Sequence, residues 1–144
     1  MYKEKIQLEV CKAILNGKRV VRMDINENET AVTIDGVKLF VFFNNEIVFD
    51  KSKIPAASFA NVLKVDEKDV EITETNRMLY QNRKTLREYK NEEAGLSVYL
   101  DKGNAEAFKG CKFYAYAQTG RVLVKDDFGN VNGVVMPVRV FEGV

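Results

Sequence analysis

A segment of helical spacing followed by about three strand-like runs occurs three times in this chain, near residues 1–50, 51–95 and 96–144. This recurrence narrows the fold more than any other feature, because a helix-period segment cannot settle as a strand, nor a two-period segment as a helix. Recurrence over such a length suggests internal duplication of a supersecondary unit. The expected fold class is therefore α+β: repeated helix plus three-strand units, with antiparallel sheet packed on short helices. No Pro/Gly/Ser-rich linker separates the units. Two organisations fit, a 1–46 half-domain or extension followed by a 47–144 domain, or one continuous domain.

In the first unit, Ile6, Val10, Ala13 and Ile14 recur at helical spacing over 4–16, with Leu8, Cys11 and Leu15 widening the stripe. Gly17 stands where a left-handed terminator belongs. Strand-like runs follow at 19–25, 30–34 and 38–43, with Asp35-Gly36 as a hairpin signal. Residues 47–49 read as one more short strand. In the second unit Ser52 can cap a helix with Pro55 in its first turn and Ile54, Phe59, Val62 and Leu63 on its apolar side. Residues 66–69 break it, and 70–73 alternate as a strand. The segment 77–93 has two readings. Residue propensities favour a helix with Leu79, Leu86 and Tyr89 near one face, whereas the neighbouring pattern favours a hairpin turning at Asn82-Arg83. In the third unit 96–100 alternate, Asp101 can cap a short helix carrying Ala105, Ala107 and Phe108, and Gly110 ends it. Strands at 111–117 and 121–125 precede the terminal stretch 129–140. There Val134, Val135, Val138 and Val140 favour a pleated surface, and Pro137 implies an edge strand or a bulge.

The chemistry is restricted by what is missing. The chain has no histidine, so histidine triads and imidazole acid–base work are excluded. Cys11 and Cys111 lack paired ligand spacing and read as buried free thiols in a reducing compartment, with a lone disulfide as the alternative. No Gly-rich phosphate loop precedes a helix. Asp126-Asp127 with Asp101 could hold a divalent ion, although adjacent acids in a turn ordinarily serve the turn. The expectation is a non-enzymatic protein without metal or cofactor. A formal net charge of +1 gives no overall pull toward nucleic acid. The longest apolar run, 39–43, is too short for a bilayer and the amino terminus leads into no signal core. A cytoplasmic protein without membrane contact is expected. The basic stretch Arg77, Arg83, Lys84, Arg87 and Lys90, interleaved with Tyr80 and Tyr89, reads as a solvated face beside the acidic run 66–74. Alternatively, it holds a nucleic-acid backbone and stacks bases.

Val135-Met136-Pro137-Val138-Arg139-Val140 resembles the carboxy-terminal strand of bacterial DNA-polymerase sliding clamps, the processivity factors, whose chains end in a Met-Pro-x-Arg-Leu pattern. Arg121-Val122-Leu123-Val124 with its Asp/Gly turn is similar to the preceding clamp hairpin. Ser97 to Asp101 and the short helix ending Phe108-Lys109-Gly110 are similar to the last clamp helix. Ile54-Pro55-Ala56 through Leu63, then Asp69 to Ile72, resemble that domain's first helix and following strand. The likeness covers roughly residues 47–140, one clamp domain of three. The chain departs from the pattern in its length, in Val140 where the clamps have Leu, and in the four residues that follow.

The resemblance implies a DNA-clamp-like fold and a role in DNA replication. It also implies homo-oligomeric rings whose helices line a DNA-sized hole, and a peptide pocket near the carboxy terminus that holds replication proteins. Carried onto this chain, the pocket residues are Met136, Pro137, Val138 and Arg139. The lysines on or beside the helices, Lys5, Lys12, Lys53, Lys64, Lys102 and Lys109, become candidates for non-specific contact with the DNA backbone. The competing expectation is a small intracellular adaptor of phage-like or mobile-element type that keeps the fold but binds neither DNA nor polymerase.

Overall fold

The computed structural model describes residues 3–116 and 120–140. Ala117, assigned to a strand by the sequence pattern, lies outside the described residues, as do the four residues after Val140.

The first helix, α1 (Lys3–Leu15), ends at Gly17, which adopts φ 71° and so satisfies the left-handed terminator. Strands β1 (Val20–Asp24), β2 (Glu29–Ile34) and β3 (Lys38–Phe43) form an antiparallel meander. Its second turn, a three-residue loop at Asp35, Gly36 and Val37, places Asp35 and Gly36 at φ 54° and 69°, left-handed backbone that Asp and Gly tolerate. A one-turn helix α2 (Ala60–Leu63) precedes the long strand β4 (Val70–Gln81), β5 (Lys84–Asn91) and β6 (Leu96–Asp101). Segment 77–93 is thus a hairpin, with Asn82 and Arg83 both at positive φ in its turn. Asp101 caps α3 (Lys102–Glu106) by accepting from the Gly103 and Asn104 amides at 2.9 and 3.2 Å. Then come β7 (Lys112–Ala115), β8 (Val122–Lys125) and β9 (Val131–Val135).

The nine strands make one sheet in the order β1-β2-β3-β9-β8-β7-β4-β5-β6, every ladder antiparallel. With its few short helices this is a mixed α+β architecture. Each group of three consecutive strands stays contiguous in the sheet. The helices are not equivalent, however. Ile6, Val10 and Ala13 of α1 and Ala105 and Phe108 at α3 enter the main core with Val32, Phe40, Phe113, Val124 and Val135. The α2 segment lies across the sheet, where Phe59, Val62 and Leu63 cover Ala31, Leu39, Leu123 and Val134. The middle strands are therefore apolar on both faces because both faces are covered.

Three expectations are corrected. The terminal strand is not an edge: β9 lies between β3 and β8 and stops at Val135, so Pro137 sits beyond the ladder rather than inside it. The helix expected from Ser52 forms only in its last turn, as α2 (Ala60–Leu63). Residues Lys51–Lys53 make a single 3-10 turn capped by Asp50. The chain then runs extended beside β1, where the Arg22 amide donates to Pro55 O at 2.9 Å and the Ala57 amide to Arg22 O at 2.8 Å. Pro55 disfavours helical backbone at Ile54, and the exposed edge of β1 supplies the alternative ladder. Residues 47–49 form no strand; a 3-10 turn, Asn44–Glu46, leads into them.

Gly133 is the tightest point of the core. A Cβ there would lie 2.3 Å from the Leu39 carbonyl oxygen and 2.5 Å from the Phe108 ring, so only glycine lets that ring lie against β9. Phe108 in turn stacks at 5.1 Å from Phe40.

Candidate functional site

The α2 segment does not lie flush on the sheet. Between it and strands β1, β2, β3 and β9 a cleft of about 270 Å³ remains, lined by Val21, Thr33, Leu39, Phe59, Val62, Val134 and Met136. Leu39 and Val134 are buried residues of the face beneath, and Phe59 and Val62 stand as one wall. Arg19, Gly36, Lys38, Ala57 and Ser58 complete the lining. Arg19 is exposed and brings a cation to this otherwise apolar cleft. Lys38 contributes no free ammonium, because its Nζ pairs with Glu9 of α1. Burial pulls the Lys38 ammonium below the ordinary lysine range, and the Asp101 charge opposes that pull.

The wall is anchored at both ends. Upstream, residues 55–57 are bonded to Arg22, and the Phe59 amide donates to Met23 Sδ at 3.3 Å. Downstream, Arg121 donates through Nη2 to Lys64 O at 2.8 Å and holds Asp69 in a bidentate pair at 2.8 and 2.9 Å. Both charged side chains are almost fully buried, 4% and 3% exposed. Burial works to raise the Asp69 carboxyl, but the Arg121 hydrogen bond, the Asp66 amide and the Arg121 charge outweigh it and hold the group below its ordinary value. On the same loop Tyr116 donates to Asp66 at 3.3 Å, and burial together with the Asp66 charge pushes the phenol up.

Of the four pocket residues, only Met136 lines the cleft. Its amide donates to Val37 O at 2.9 Å, extending the sheet by one bond before Pro137 ends it. The chain then leaves for the far edge of the sheet. Val138 donates to Tyr99 O at 2.8 Å, and the exposed Arg139 accepts through its carbonyl from Gln81 Nε2 at 2.9 Å. The residues the sequence reading missed are Leu39, Phe59, Val62 and Val134. A signal was present in β3, where Leu39, Val41 and Phe43 are as apolar as the alternate set Phe40 and Phe42. That pattern requires cover on both faces.

The six lysines do not gather on one face. Lys5 and Lys109 meet at a separate cleft of about 740 Å³ between the helices and β4, β5 and β7, joined there by Arg87 and Lys112. Glu71, Glu74 and Glu106 line the same cleft, and Arg87 pairs with Glu74 at 3.4 Å and Glu106 at 3.8 Å. Lys102 pairs with Glu106 at 3.9 Å. Lys12 is exposed on α1, Lys53 lies in the 3-10 turn near β1, and Lys64 follows α2 across the sheet. The basic and aromatic stretch also divides. Tyr89 is in the core and Tyr80 is 75% exposed, while Arg77 approaches Glu88 at 3.9 Å.

Asp126 accepts from the Phe128 and Asn130 amides, both at 2.9 Å, while Asp101 caps α3, so these acids serve local backbone. No group of three or more His, Cys, Asp or Glu converges among the described residues. Cys11 and Cys111 are free and half-buried, less enclosed than the sequence suggested. No helix among the described residues is long and apolar enough to cross a membrane. Comparison with protein-family models, with curated proteins and with solved structures finds no match.

Proposed function

We propose that this chain is a non-catalytic binding module that captures a short peptide of a partner protein in the cleft beside Met136. The observation that carries the reading is an open apolar cleft with a fixed wall, a buried floor and one exposed arginine nearby. Such a site suits an apolar anchor side chain followed by a carboxylate that Arg19 can meet. The clamp resemblance points to a replication protein as the partner, because Met136 of the terminal motif that suggested it lines this cleft. Clamp-like oligomerisation and the internal repeat remain part of that proposal, as does a cytoplasmic setting. The adaptor alternative uses the same cleft for a partner outside replication. DNA-backbone contact has weaker support, since Lys5 and Lys109 share their cleft with three glutamates. If DNA binds, its affinity should be independent of sequence and fall steeply with salt.

The test is fluorescence polarisation with a labelled peptide of the polymerase-binding type, with its apolar anchor intact or replaced by alanine. Met136→Ala should weaken binding by about tenfold, and loss of the anchor should have a comparable effect. Arg139→Ala should leave affinity unchanged. Equal affinity of wild type and Met136→Ala would reject the cleft as the peptide site.

A further inference from the structure

The hairpin of β4 and β5 outruns the strands beside it. β7 pairs with β4 only at Val70 to Ile72, and β6 reaches β5 no further than Leu86. The pairs Tyr80 with Thr85 and Gln81 with Lys84 therefore form a two-stranded ribbon with no third strand among the described residues. Arg77, Met78, Tyr80, Arg83 and Lys84 are all exposed on it. Met78 and Tyr80, 55% and 75% exposed, stand two positions apart and so share one face of the strand. No Asp or Glu occurs from Thr75 to Arg87. One more cation joins from far along the chain. Gln81 Nε2 donates to Arg139 O at 2.9 Å and sets the exposed Arg139 beside the ribbon.

The acids around the hairpin are engaged elsewhere. Glu88 has a side chain only 12% exposed, accepts from Thr75, Ser97 and Tyr99, and lies 3.9 Å from Arg77. Glu74 and Glu106 face Arg87, and Asp101 caps α3. No carboxylate among the described residues lies within ion-pair distance of Arg83, Lys84 or Arg139. Arg83 also stands where the backbone disfavours it. It adopts φ 65° in a turn position that prefers glycine, and strain of this kind collects at sites where the side chain is needed for binding.

We propose that this ribbon binds single-stranded nucleic acid. Tyr80 and Met78 form the platform for unstacked bases, and Arg77, Arg83, Lys84 and Arg139 meet the phosphates. A duplex keeps its bases stacked on one another and leaves the exposed ring without a partner, while an acidic peptide supplies charge but no bases. A single strand supplies both. None of these residues lines the cleft beside Met136, so this surface stands or falls separately from peptide capture.

The experiment is fluorescence anisotropy of labelled oligothymidylate and oligouridylate titrated with the full chain, against a duplex of the same length and labelled polyglutamate. The single strands should bind more tightly than either control, with affinity that falls steeply as salt rises. Binding of only one of the two would support the proposal and assign DNA or RNA. Tyr80→Ala should weaken binding by about tenfold, and Tyr80→Phe should retain it. Lys84→Gln should lower the slope of log affinity against log salt by about one. Arg83→Gly should weaken binding while raising the urea midpoint, a separation that a purely structural turn would not give. No binding at low salt would overturn the proposal. So would a duplex or polyglutamate bound as tightly as the single strands, or a single-strand affinity indifferent to Tyr80→Ala and Arg83→Gly.

Discussion

Arg121 joins the loop after α2 to β8 through a guanidinium that is only 4% exposed, so its removal leaves the buried Asp69 carboxylate without its hydrogen-bonded counter-charge. Arg121→Ala should cost about 3–5 kcal/mol, seen as a fall in Tm on the order of 10 °C. Because the same side chain holds Lys64 O, the cleft wall should loosen with it. Asp69 also sets an acid limit. Its folded value lies below the ordinary 3.8. Its stabilising contribution is therefore complete above that ordinary value and is lost as pH falls through the lower, folded one. Asp69→Asn should flatten the acid limb of a Tm-versus-pH curve in that window, and an unchanged limb would deny the pair this role. Gly133 is constrained differently. Gly133→Ala should destabilise by about 1–3 kcal/mol or more in a urea titration. Adding Phe108→Leu should recover only part, because the Leu39 carbonyl at 2.3 Å cannot withdraw.

Among the elements, the hairpin between β4 and β5 turns on Asn82 and Arg83, both at positive φ. Arginine is strained there, and Arg83→Gly should stabilise the protein by about 1 kcal/mol, measured as a raised urea midpoint with unchanged slope. The turn chemistry was legible locally: Asp35-Gly36, the Gly17 terminator and the Asp101 cap all act within a few residues of where they stand. The hairpin itself emerged against helix propensity, because Leu79 and Leu86 face each other across the ladder rather than along a helix. What failed was set by distant partners. Pro137 reads as an edge signal, yet β9 pairs on both sides because the chain leaves the ladder first. The first half of the helix expected at 52–63 was lost to the edge of β1, more than thirty residues upstream of Pro55, and only Ala60–Leu63 is helical. The cleft was half visible for the same reason. Met136 marked its position, but its floor and wall come from residues as far apart as Val21 and Val134.

At the scale of the whole molecule, one sheet with both faces covered over its middle strands separates two surfaces of different character. On the α1 and α3 side a large cleft carries charges of both signs; on the α2 side a smaller one is apolar, with Met136 in its lining. Partner capture is proposed for the second surface. The measurement that bears most directly on the central claim is a titration of isotope-labelled protein with the anchor-bearing peptide, followed by amide and methyl NMR. Shifts confined to Val21, Thr33, Leu39, Val62, Val134 and Met136 are the predicted result. Shifts centred instead on Lys5, Arg87, Lys109 and Lys112, or none at saturating peptide, would contradict it.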